Sequence, residues 1–439
     1  MADAATRGAG CPRSDWVARD ESVVWHGFTQ MAAYAGNEPI MVERAEGREL
    51  IDVEGRRYLD AISSLWVTTL GHRVPELDRA VIDQLGRVAH STLLGHGNTA
   101  VVELAEALAR VVPVDEAHFL FASDGAAAVE QALKIAFQYW ANRGVEGRTT
   151  YLAVDGAYHG DTVGSLSVGA GGFGTDLFDP LRFPVLRAPD VPAAAGLVGA
   201  AAARLAAVVV EPLVQGAAGM LLHSPEDLAR LARAAADAGV LLIADEIATG
   251  FGRTGALFAC TQAGVRPDLL CLGKGLTGGY LPMAATVASG PVFDAFLGPD
   301  LSARTLYHGH SYGGNALAAA VALRHLALIE EWDVLANVAA RSTQLRGLLD
   351  RRIAPLPAVK EVRLLGLMGG IELAPPAEGL RWGRKVCAAA VRRGVLLRPL
   401  GDVVVLMPML TSTADEITRI VAVLAESIAE VSQGEGAAS

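Results

Sequence analysis

Two short apolar runs, each closed by one charged residue, constrain the fold most. The first is Val240-Leu241-Leu242-Ile243-Ala244, followed by Asp245. The second is Leu270-Cys271-Leu272, followed by Gly273-Lys274. A short unbroken apolar run bounded by turn residues reads as a buried strand. In an open α/β sheet, chemistry gathers at the carboxyl ends of such strands. An acid and an amine are therefore expected at one rim of one sheet. Taken singly, Asp245 reads as a turn cap and Lys274 as a solvated loop residue. Their pairing across Ala248-Thr249-Gly250-Phe251-Gly252-Arg253-Thr254-Gly255 favours a site.

The surrounding chain supports that sheet. Strands are expected at His118–Ala122, Tyr151–Val154, Leu205–Val210, Leu241–Ala244, Leu269–Leu272 and Ala284–Ala288. Helical spacing separates them, at Pro75–Ala89, Ala100–Val112, Ala126–Asn142, Pro225–Ala238 and Asn315–Ile329. Such alternation implies an α/β fold with a mostly parallel sheet covered on both faces. Residues 49–60 read as a hairpin around Val53-Glu54-Gly55-Arg56.

The beta-alpha rhythm divides the chain. Residues 1–20 read as disordered, 21–74 as an N-terminal segment joining a small domain, and 75–330 as the large domain. Residues 331–431 read as the C-terminal α+β small domain, and 432–439 as a fraying tail.

Composition removes several functions. At 439 residues, 51% hydrophobic and 19% charged, the chain is expected to be globular. A net charge of -11 without a basic run argues against a nucleic-acid partner. The four cysteines lack metal-ligand spacing, which suits free thiols in a reducing cytosol. No apolar stretch is long enough for a bilayer, and the N-terminus lacks the apolar core of a signal peptide, so a cytoplasmic location is expected.

Five further stretches could carry chemistry. Ser123-Asp124-Gly125-Ala126 stands at a strand-to-helix junction, where free helix N–H groups bind anions. Taken alone, an ordinary turn is the favoured reading. Gly156-Ala157-Tyr158-His159-Gly160-Asp161-Thr162 offers an aromatic face with polar groups at its edge, or a packed tyrosine. Glu211, at another strand end, reads as a turn residue or a ligand partner. His308-Gly309-His310-Ser311 opens a helix; no Asp or Cys completes a metal set, so no metal is expected. Arg398 suits bidentate carboxylate recognition, or a surface ion pair.

Together these stretches resemble the class III, fold-type-I pyridoxal-phosphate aminotransferases, from about Trp25 to Met407. The most specific piece is the run from Leu242 to Gly255, followed by Gly273-Lys274-Gly275. The resemblance implies pyridoxal 5'-phosphate as cofactor, held covalently by Lys274, with Asp245 on its pyridine nitrogen. Tyr158 would stack on the ring and touch substrate. Gly125 and Ala126 would bind the phosphate, and His159, Glu211 and Ile247 would complete the cofactor site. His310 and Ser311 would reach the phosphate from a second subunit, which implies a homodimer. Phe28, Leu65, Trp66, Gly309 and Arg398 would line the substrate pocket with Tyr158 and Lys274.

Trp25-His26, Thr29-Gln30-Met31, Ser63-Ser64-Leu65-Trp66, Phe137-Gln138-Tyr139-Trp140 and Arg398-Pro399-Leu400-Gly401 narrow the match to members serving biotin biosynthesis. The expected reaction is transamination of the keto acid 8-amino-7-oxononanoate to 7,8-diaminononanoate, with S-adenosylmethionine or lysine as amino donor. A class III ω-aminotransferase acting on a diamine or ω-amino acid is the alternative. Departures fall on the phosphate and substrate sides. Ala126 replaces a common Ser, His310 a Pro, Ser311 a Thr, Leu65 a Trp, Phe28 a Tyr and Gly27 a Pro.

Overall fold

The computed structural model describes residues 12–170 and 174–436. Its centre is a seven-stranded sheet. In chain order the strands are β1 (His118–Ala122), β2 (Thr150–Val154), β3 (Leu186–Ala188), β4 (Leu205–Val210), β5 (Leu241–Asp245), β6 (Leu269–Leu272) and β7 (Ala284–Ala288). Across the sheet the order is β1-β7-β6-β5-β4-β2-β3, with β7 antiparallel to both neighbours and the remaining pairs parallel.

Strands β4 to β7 are buried at every position, which is why they read as continuous apolar runs. Their side chains still alternate between two cores. Leu242, Ala244, Leu270 and Leu272 enter the larger one. Leu241, Ile243, Leu269 and Cys271 face the other, against helix α1 (Gly125–Asn142). Helix α1 presents Val129, Leu133 and Ala136 to that face. It starts at Asp124, whose carboxylate accepts from Ala127 N at 2.9 Å. Loss of such a cap costs about 1 kcal/mol.

Both chain ends meet outside this sheet. The hairpin Glu49–Asp52 and Arg57–Asp60 takes Val395–Leu396 as a parallel neighbour. A separate four-stranded sheet combines Val359–Leu365, Met368–Leu373, Arg398–Leu400 and Val403–Leu406.

The edges differ from the sequence reading. Residues 13–20 were expected to lack structure, yet Arg13–Val23 is helical. Its anchors are single contacts that composition hides: Val17 is buried, and Arg13 Nε donates to Pro39 O at 2.9 Å. The rest of the expected disordered segment, residues 1–11, lies outside the described residues. The expected tail from Ser432 continues a helix that spans Ala414–Gly436, and residues 437–439 lie outside the description. The edge strand β3 went unread because it is three residues long and only partly buried. Among the described residues, no helix is long and apolar enough to cross a membrane. Cys260, Cys271 and Cys387 are buried free thiols.

Candidate active site

The parallel strands bring their carboxyl ends to one rim. Glu211 follows β4, Asp245 ends β5 and Lys274 follows β6. Tyr158 and His159 come from the loop after β2, and Asp124 and Gly125 from the turn after β1. Register aligns the central pair, with Asp245 opposite Cys271, three residues before Lys274. A cavity of about 470 Å³ opens here. Its walls include Trp66, Gly125, Ala126, Tyr158, His159, Glu211, Asp245, Ile247 and Lys274.

Asp245 is fixed on both carboxylate oxygens. Oδ2 meets His159 Nδ1 at 2.7 Å, and Oδ1 accepts from Ile247 N at 3.0 Å. Burial disfavours the charged imidazole of His159. The hydrogen bond and charge of Asp245, with the charge of Glu211, outweigh it, so the His159 pKa is raised. Glu211 accepts from Tyr158 N at 2.9 Å and Gly216 N at 3.0 Å. Burial lifts its carboxyl to about 7, against the opposing pull of His159.

Lys274 sits in a short turn with φ of 40°. A left-handed conformation at a non-glycine residue is costly and persists only where the surroundings enforce it. Burial lowers its pKa, although the charges of Asp245 and Glu211 pull the other way. A lowered pKa raises the fraction of neutral, nucleophilic amine. Its Nζ lies 4.8 Å from the ring centroid of Trp66. That indole is buried, and its Nε1 has no hydrogen-bond partner. Gly216 makes room for it, because a Cβ there would approach Trp66 Cζ3 to 3.1 Å.

The phosphate side is built by close packing. A Cβ on Gly125 would come within 2.9 Å of Ile247 Cδ1, so glycine lets the first turn of α1 pack on the end of β5 without displacing that side chain. Gly160, at φ of 125°, packs similarly on Ala126. The N–H groups of Gly125 and Ala126 lie in the first helical turn, which leaves them for an anion.

Other expected residues are placed differently. Phe28 lines an adjoining cavity of about 340 Å³ that shares Tyr158 and Asp161. Leu65, Gly309, His310, Ser311 and Arg398 line neither cavity in the single chain. Leu65 is turned toward solvent at 47% exposure. Gly309 and Ser311 are exposed, and His310 Nδ1 lies 3.4 Å from Ser123 Oγ. Arg398 stands on an edge strand, and its charge acts on Tyr158. Asp161 was quoted in a motif but given no role. It accepts the Tyr158 hydroxyl at 2.9 Å. Its spacing from Tyr158, three residues within a glycine-bounded loop, was the available signal.

These groups fit pyridoxal phosphate. A buried carboxylate suits a pyridinium partner, a depressed amine suits covalent attachment, and a helix N-terminus suits a phosphate. The unpartnered Nε2 of the buried His159 leaves one further polar atom at this site.

Comparison with known proteins agrees. The family model for aminotransferase class-III matches residues 30–428. An adenosylmethionine-8-amino-7-oxononanoate aminotransferase from Nitratidesulfovibrio vulgaris is 45% identical, over 94% of this chain and 81% of that one. A protein of the same name from Aquifex aeolicus is 41% identical, over 94% and 96%. The crystal structure of that aminotransferase from Methanocaldococcus jannaschii superposes with a TM-score of 0.91 at 37% identity, covering 95% of this chain and 98% of that one. With the sheet, the rim and these matches in agreement, the chain belongs to the class-III aminotransferases, pyridoxal-phosphate enzymes of fold type I.

Proposed function

We propose that this enzyme transfers an amino group to 8-amino-7-oxononanoate, forming 7,8-diaminononanoate for biotin synthesis. The amino donor is S-adenosylmethionine or lysine. One observation carries the substrate reading: 45% identity over 94% of the chain to a relative bearing that name. The rim is consistent with it, because it supplies a transaminase centre in which both partners use the same lysine.

Bound at this rim, pyridoxal phosphate supplies the electron sink that lets donor and acceptor exchange an amino group in two half-reactions. Lys274 Nζ would hold the cofactor covalently and, when free, would carry the proton at the substrate carbon. Burial lowers the pKa of that amine, which favours its neutral form. Asp245 holds a proton on the pyridine nitrogen, and His159 keeps the carboxylate oriented. Gly125 and Ala126 N–H groups bind the phosphate. Tyr158 covers the ring and, with Trp66, excludes water. Phe28, Leu65, Gly309 and Arg398 form the outer pocket, with Arg398 binding the substrate carboxylate.

The enzyme works as a homodimer. The loop that carries Gly309 and Ser311 also exposes Leu301, Tyr307 and Tyr312, and nearby Leu94 is 66% exposed. Exposed apolar groups of this kind suit a subunit interface. His310 and Ser311 then serve the partner's phosphate site. A monomer at sedimentation equilibrium would remove this part of the reading.

Spectra of the two half-reactions test the function. The donor converts the pyridoxal form to the pyridoxamine form, and 8-amino-7-oxononanoate reverses it. Failure of the keto acid to reverse the conversion sinks the biotin assignment and leaves a class III ω-aminotransferase.

A further inference from the structure

The segment Ser63–Trp66 is a left-handed turn. Ser63, Ser64, Leu65 and Trp66 have φ of 51°, 46°, 67° and 72°. L-residues pay about 1–2 kcal/mol each for this region, and it is rarely occupied beyond single residues. Such a turn forms only where its surroundings impose it.

The restraints are visible. Asp60 is 2% exposed and accepts from Ser64 N at 3.0 Å and from Ser64 Oγ at 2.7 Å, using one carboxylate oxygen for each. Its Oδ2 also meets His72 Nε2 at 3.1 Å. Burial of this carboxylate is outweighed by its bonds to His72 and Ser64, so it stays charged. Ser63 Oγ donates to Met407 O at 2.7 Å. Backbone bonds run from Trp66 N to Ile62 O and from Val67 N to Ser63 O.

Two consecutive side chains leave this turn in different directions. Trp66 is turned inward, 6% exposed, onto Lys274 and Gly216. Leu65 is turned outward, toward solvent, at 47% exposure.

We propose that Asp60 is a positioning residue that sets the substrate wall by holding the Ser63–Trp66 turn left-handed. It touches neither cofactor nor substrate, since it lines neither cavity. It acts through Ser64 on Trp66 and Leu65. The proposal rests on the reading of Trp66 and Leu65 as pocket residues.

Two substitutions test it. Asp60→Asn keeps the volume but leaves one acceptor oxygen for the donors that the carboxylate now serves. Ser64→Gly removes the Oγ bond while adopting the left-handed region without strain. The measurements are the keto-acid KM and maximal rate, thermal unfolding, and titration of cofactor-free protein with pyridoxal phosphate. Ser64→Gly is expected to raise the keto-acid KM about fivefold, the worth of one hydrogen bond. Its unfolding temperature should equal or exceed that of the wild type, an opposite pair of signs that structural damage does not produce. Asp60→Asn is expected to raise KM further with cofactor affinity unchanged. If Asp60→Asn does not fold, Ser64→Gly decides alone. An unchanged KM in Ser64→Gly, or a KM that moves only as cofactor affinity moves, overturns the proposal. If the wild type rejects 8-amino-7-oxononanoate, the functional reading fails separately, and the same KM ratios are taken on whichever acceptor it uses.

Discussion

The strand rim and the outer wall of the pocket are built on opposite plans. At the rim, Glu211, Asp245 and Lys274 each follow a strand buried at every position. Phe28, Leu65, Gly309 and Arg398, proposed as the wall, are scattered from one end of the chain to the other, and Phe28, Leu65 and Gly309 are open to solvent. The rim fixes reaction type through rigid supports. The proposed wall stands on segments that can vary without disturbing the sheet. Every departure from the common family pattern noted in the sequence avoids Lys274 and Asp245.

The contrast can be broken experimentally. Lys274→Ala should lower transamination by at least about 10⁴-fold and abolish the visible band of the bound cofactor. Retention of that band would remove the rim from the chemistry. Arg398→Ala should weaken a carboxylated substrate by roughly tenfold to a hundredfold, as loss of a charge-assisted hydrogen bond implies, with cofactor affinity unaffected. Equal loss of both affinities would place Arg398 in the cofactor site instead.

The smallest effect is a pH dependence within the rim. The Glu211 carboxyl is raised on folding from 4.5 to about 7. The folded state therefore holds a proton that the unfolded state releases in this window. The linked stability is present below about pH 4.5 and is lost as pH rises through 7. Cofactor-free Glu211→Gln should gain stability relative to the wild type across that interval, by urea unfolding at several pH values. A constant difference would show that folding leaves the Glu211 carboxyl unshifted.

The sheet and the rim were legible because both leave periodic or composite signals. Leu205–Val210, Leu269–Leu272 and Ala284–Ala288 coincide with the observed strands, since burial on both faces demands unbroken apolar runs. Asp245 and Lys274 stood out as charges closing such runs. The position of β7 between β1 and β6, and its reversed direction, left no mark on local sequence. The left-handed turn was equally silent. Ser63-Ser64-Leu65-Trp66 contains no glycine or asparagine to advertise positive φ. Of its restraints, Asp60 lies only four residues from Ser64, but nothing in local sequence marks that bond, and the Met407 carbonyl lies far along the chain.

That distant carbonyl bears on synthesis. Ser63 and Met407, whose bond secures the turn, lie 344 positions apart. Contacts of such separation form late, because the intervening chain must first be made and ordered. On the ribosome, Lys274 is in place before Met407 has been translated. A nascent chain can therefore assemble the strand rim while Ser63–Trp66 still lacks its partner. The Ser63–Met407 bond can close only once nearly the whole chain has been made.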